Sequence, residues 1–149
     1  MAANKEPIFG RVADVQLAGA VIGPSANTAQ DGTGANITEV FEADPTEGSY
    51  VQSVRFKAIG SPAATVIRLF FCSDTGAFTP GTTNTAANTA MIGEVTTAAW
   101  TSSNTIASPV YEIPVNMALP PGTKLLVSFG TSTGAAGNGF NPLTIGMKY

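Results

Sequence analysis

The sequence predicts an all-β domain: a single β-sandwich of jelly-roll or Greek-key type with about eight short strands. Three observations predict it. Ten prolines and sixteen glycines recur too often for long segments of helical period, because each weakens or breaks a helix interior. Thr and Val stand where a helix would favour Leu, Glu and Lys, and β-branched residues suit a pleated surface. Short apolar runs alternate with clusters of turn residues along the whole chain, the pattern of sandwiches and barrels.

The elements follow in order. Residues 8–22 (IFGRVADVQLAGAVI) read as one or two opening strands, broken near Gly10 and Gly19. Ile37 to Ala43 alternates Ile37, Glu39 and Phe41 against Thr38, Val40 and Glu42. Tyr50 to Ile59 sets Tyr50, Gln52, Val54 and Phe56 on one face and Val51, Ser53, Arg55 and Lys57 on the other. Ala64 to Ser73 (ATVIRLFFCS) is almost wholly apolar, as expected of a central strand covered on both faces. Weaker runs follow at 91–97 and 110–115. Residues 124–130 turn Leu125, Val127 and Phe129 inward, and 143–149 close with Leu143, Ile145, Met147 and Tyr149 in phase. The expected core is Phe56, Ile67, Leu69, Phe71, Leu125, Val127 and Phe129.

Turn chemistry separates these runs. Asp44-Pro45-Thr46-Glu47-Gly48 and Pro120-Pro121-Gly122 are tight bends, and Gly137-Asn138-Gly139 supplies positive φ. Two connections are long: 23–36 (GPSANTAQDGTGAN) and 74–89 (DTGAFTPGTTNTAANT). Loops of that length in a compact domain are commonly functional or ordered by a partner. A length of 149 residues fits one domain over 1–149.

Composition narrows the function classes. The chain has no histidine, one cysteine, seven basic and ten acidic residues. Histidine is the usual general base and the commonest metal ligand near neutral pH, and Cys clusters make most structural zinc sites. No enzyme chemistry, cofactor or metal is therefore expected. A charged fraction of 11%, against about 25% in ordinary domains, leaves a surface of Thr, Ser, Asn and Ala that loses little on contact with a neighbour. A net charge of −3 argues against a nucleic-acid partner, which rewards clustered Lys and Arg. No stretch approaches a membrane span, and the first residues carry no secretory apolar region, so synthesis in a cytoplasm is expected.

The candidate chemistries each have a plainer reading. Cys72 lies in an apolar run and reads as a buried thiol. Glu39 and Glu42, three apart on a strand, would face opposite ways and so fail the carboxylate pair of a glycosidase. Asp44 and Glu47 could offer oxygens to Ca²⁺, but their spacing is not that of an EF-hand. Asp31-Gly32-Thr33-Gly34 lacks the Lys and the helix of a phosphate loop and reads as an Asp-closed turn. Trp100, Tyr50 and Tyr111 could form a sugar platform, or pack in the core. Pro7-Ile8-Phe9-Gly10-Arg11 either begins the first core strand or, as part of an arm over residues 1–9, docks on a neighbour. The candidate partner contacts are Pro7, Ile8, Phe9, Arg11, Asn27, Gln30 and Asp31.

Several stretches carry a resemblance: Asn27 to Gly34 (NTAQDGTG), Val40-Phe41, Gly48 to Phe56 (GSYVQSVRF), Ala64 to Phe70 (ATVIRLF) and Leu119 to Leu125 (LPPGTKL). Together they resemble a family of small β-rich structural proteins of tailed bacteriophages, over roughly residues 5–149. The segment 43–47 departs from the family pattern in being more acidic. The resemblance implies a virion protein on the capsid exterior, an auxiliary decoration or cement protein with no catalytic residues. Its partners would be the major capsid protein and further copies of itself, as a trimer or a dimer. The alternative is a virion module that binds carbohydrate or a host surface.

Overall fold

The structure is a computed structural model that describes residues 10–149. It is all-β, with eight strands: β1 (Val12–Leu17), β2 (Thr38–Glu42), β3 (Ser49–Ile59), β4 (Thr65–Cys72), β5 (Thr89–Thr97), β6 (Val110–Leu119), β7 (Lys124–Phe129) and β8 (Gly139–Lys148). They form two antiparallel four-stranded sheets, β1-β8-β3-β6 and β2-β7-β4-β5. β1 pairs with β8, β2 with β7, β3 with β6 and β4 with β5. The chain is thus one long antiparallel ribbon rolled up on itself, with alternate pairs delivered to alternate sheets. This is the jelly roll, a double-sheet arrangement of eight strands.

The core between the sheets holds Val51, Val54, Phe56 and Ala58 of β3, Ile67 and Leu69 of β4, Leu125, Val127 and Phe129 of β7, and Phe140 of β8. The rings of Phe129 and Phe140 stack across the sheets at 5.9 Å. Six of the seven expected core residues are buried. Phe71 differs: it stands near the end of β4 at the margin of the core and is only half-buried, whereas Phe70 beside it is fully enclosed.

Phe70 is enclosed because this sandwich has a second, smaller core. On the outer face of β4 and β7 lie Phe70, Cys72 and Leu126, joined by Ile37 and by half-buried Phe78. The two long loops fold over them. Buried Asn84 holds one loop to the other: its amide donates to the carbonyls of Gly32 and Gly34 at 2.7 and 3.0 Å, and its oxygen accepts from the Gly81 amide at 2.7 Å. Gly32, at φ 80°, lies so close that a Cβ would fall 2.3 Å from a Thr89 methyl and 3.1 Å from the Phe70 ring. The loops are therefore ordered by each other and by the sheet, a third layer whose apolar floor explains why the second half of β4, Leu69 to Cys72, is apolar on both faces.

Bulges alter two of the expected strand faces. An extra residue at Val40 in β2 turns both Val40 and Phe41 into the core. Glu39 and Glu42 consequently share the outer face instead of opposing each other. In β3 the register slips between Val51 and Ser53 against both neighbours. Val51 therefore joins Val54 and Phe56 inside, while half-buried Tyr50 and exposed Gln52 leave that face.

Candidate interaction surface

The last strand carries an inversion that alternation alone cannot reveal. Phe140, Pro142, Thr144 and Gly146 oppose Ala58, Phe56, Val54 and Val51 and so point into the core. Leu143, Ile145 and Met147 then point outward. Their partners on β1 are Leu17, Val15 and Ala13. An apolar band therefore lies on the outer surface of the first sheet, and its β1 half is open: Val15 is 54% and Leu17 67% exposed. Tyr50, opposite both Met147 and Ala118, extends the band. It continues toward a shallow groove lined by Pro120, Pro121 and Tyr149. Single exposed apolar residues are ordinary, whereas a contiguous patch marks an interaction site.

The inner face of β1 is polar instead. Asp14 is buried and accepts from Ser49 Oγ at 2.9 Å and from the Gln16 amide at 3.1 Å. Gln16 reaches across the seam between the sheets. Its amide donates to the Glu42 carbonyl at 2.8 Å and its oxygen accepts from the Glu42 amide at 2.9 Å. The side chain thus stands in for a neighbouring strand at the edge of β2.

Beside this seam, Asp44 organises the 44–48 turn. One oxygen accepts from the amides of Thr46 and Glu47 at 2.9 and 3.0 Å, and the other receives Lys148 Nζ at 3.1 Å. The backbone donors of Glu47 and Thr46, followed by Lys148, hold its pKa down at about 2. Both oxygens are thus taken by protein donors. Glu47 turns instead to Arg11, with which it pairs at the surface. Glu39 is pushed up by burial first and by the Glu42 charge second. Lys124, with its side chain 2% exposed, donates to the carbonyls of Gly122 at 3.0 Å and Asp74 at 3.3 Å, and lies 3.5 Å from Glu42.

The expected contact residues scatter. Pro7, Ile8 and Phe9 lie outside the described residues. Arg11 is exposed and engaged with Glu47. Asn27 is buried and spent within its own loop, donating to the Thr33 carbonyl at 2.8 Å and accepting from the Ala29 amide at 3.0 Å. Gln30 and Asp31 are exposed at the loop tip. There Asp31 accepts from the amide and hydroxyl of Thr33, bonds that lower its pKa. The aromatics do not assemble into a platform. Half-buried Trp100 and Tyr111 lean on the core, and the Tyr111 hydroxyl accepts from the Ala98 amide at 3.1 Å. Tyr50 lies on the outer face of the same sheet, on β3 beside the β6 strand that turns Tyr111 toward the core. The apolar band escaped the sequence reading because its members are in phase with each other, which says that they share a face but not which face.

No protein-family model, curated protein or solved structure matches the chain.

Proposed function

We propose that this chain is a non-enzymatic structural protein of a bacteriophage virion, a decoration or cement protein that bridges adjacent major capsid subunits on the capsid exterior. The observation that carries this reading is the apolar band on the outer face of the β1-β8-β3-β6 sheet. A sandwich with a complete core has no internal need for Val15, Leu17, Leu143, Ile145 and Met147 on its outside. Such a band is useful when it is covered by a neighbour, and the low surface charge lowers the desolvation cost of covering it. The family resemblance of 27–34, 48–56, 64–70 and 119–125 supplies the virion context. Jelly rolls occur in capsid and lectin domains alike, so the fold is neutral between these roles. The dispersal of Trp100, Tyr50 and Tyr111 favours the capsid role over a glycan-binding one.

In this mechanism the chain adds contact area across a subunit boundary, and separating the subunits then also requires exposing that area. Many weak sites on a repeating lattice add through multivalency. The test adds purified chain to undecorated capsids of the encoding phage. Bound copies are counted after pelleting, and the capsids' resistance to heat is measured. Binding in a fixed ratio to capsid subunits with raised heat resistance is the expected result; failure to co-sediment refutes the reading. A variant lacking residues 1–9 should bind fewer copies if that segment is an arm.

A further inference from the structure

We infer that β1 is a self-pairing edge, through which two copies of this chain join about a two-fold axis at Val15 into one continuous eight-stranded sheet. The inference rests on the structural-protein reading for its purpose, but its geometry is independent of any capsid.

Sheet edges offer open backbone groups to other chains, and proteins block them with bulges, prolines, short strands or covers. Three of the four edges here are blocked. β2 has five residues, a bulge at Val40 and the Gln16 amide over Glu42. β5 bulges opposite Leu69 and Phe70 and abuts β6 across the seam. β6 contains Pro114 and Asn116, the latter at φ 47°. β1 differs. Its six residues run in unbroken register with β8 and contain no proline and no lysine. Its outer side chains are the most open part of the apolar band.

Side-chain parity then selects the register. Antiparallel partners must point to the same face, so only two centred pairings of β1 with its copy are allowed. One sets Asp14 against Asp14 of the second copy, a like-charge pair in a buried setting, which is destabilising. The other sets Val15 against Val15, Ala13 against Leu17 and Asp14 against Gln16. This second register joins the two apolar bands and keeps the carboxylates apart. Asp14, the only charge on the strand, thus fixes the alignment.

The contact is modest. A six-residue edge is about 20 Å long, and a two-layer flank with its outer side chains is about 20 Å deep, roughly 400 Å² per copy. Standard interfaces take about 800 Å² from each partner. The pairing is therefore reversible in dilute solution and is consolidated where copies are concentrated on a lattice.

Sedimentation velocity of the full chain over a dilution series should show a monomer–dimer equilibrium. Val15→Lys, at an exposed position that costs the fold little, should weaken it by about tenfold or more, since it removes apolar contact and opposes two like charges. Val15→Cys should form a self-disulfide on mild oxidation, whereas Ile106→Cys, exposed on the 98–109 loop, should not. A chain that stays monomeric at every concentration, a dimer indifferent to Val15→Lys, or equal cross-linking at both positions would each overturn the inference. Capsid binding separates the two readings. A β1 dimer that ignores capsids refutes the decoration role alone, and a monomer that decorates them refutes the dimer alone.

Discussion

Phe70 and Phe71 are neighbours on one strand, and replacing each with alanine separates the two cores. Phe70 has no exposed surface and lies beneath the two long loops with Cys72, Leu126 and Ile37. Truncation of a fully buried Phe costs about 3–5 kcal/mol, from lost transfer energy and the cavity left behind. For a domain of this size that lowers the melting temperature by about 6–20 °C. Phe71 keeps part of its surface in water at the core margin, so its transfer and cavity contributions are both smaller, and its truncation should cost about half as much. The damage should also differ in place. The Gly32 backbone rests on the Phe70 ring, so Phe70→Ala removes the floor under the Asn84 bonds that join the loops. Amide hydrogen exchange should accelerate first at residues 27–36 and 81–88, while β3 and β8 retain protection up to the reduced global stability. The measurement is thermal and urea unfolding of both variants with exchange mapped by mass spectrometry. Equal costs for the two substitutions, or loops whose exchange is unchanged by Phe70→Ala, would refute the loop-covered second core.

Two further outcomes follow from buried and paired charges. Lys124→Met keeps the aliphatic stem but leaves the carbonyls of Gly122 and Asp74 without their donor; unsatisfied buried acceptors cost about 1–3 kcal/mol each, so the urea midpoint should fall clearly although the substitution is apolar for apolar. Asp44 has its folded pKa depressed to about 2 from 3.8, so its contribution is fully present above pH 4 and is lost as pH falls through 2. Lys148 is raised by Asp44, so its contribution is present below its ordinary value and is lost only as pH rises through the raised one. Asp44→Asn should flatten the acid limb of stability between about pH 4 and 2 and leave the neutral plateau lower; an acid limb identical to that of the unaltered chain would show that the 44–48 turn does not depend on the carboxylate.

Much of this fold is decided locally. Pro and Gly at the bends, β-branched residues between them and the absence of helical period specify eight strands and nearly all of their positions, because turn propensity and period-two patterning act over a few residues. The central position of β4 was equally legible: a strand apolar on both faces needs cover on both. What the sequence could not determine was which face each strand buries and what supplies the cover. The bulges at Val40 and between Val51 and Ser53 shift side-chain parity by one residue, a choice made by register against β7, β6 and β8, not by the strand's own pattern. Loops 23–36 and 74–89 read in sequence as long polar connections that are functional or ordered by a partner; in the fold Asn84 ties one to the other, Asn27 and Asn88 brace their own loops, and both lie over the Phe70 floor. In the same way, Leu143, Ile145 and Met147 are in phase with one another, but only pairing with β3, whose Val54 and Phe56 point inward, sends them out. A sequence states which residues share a face, and the partner strand decides whether that face meets the core or the world outside.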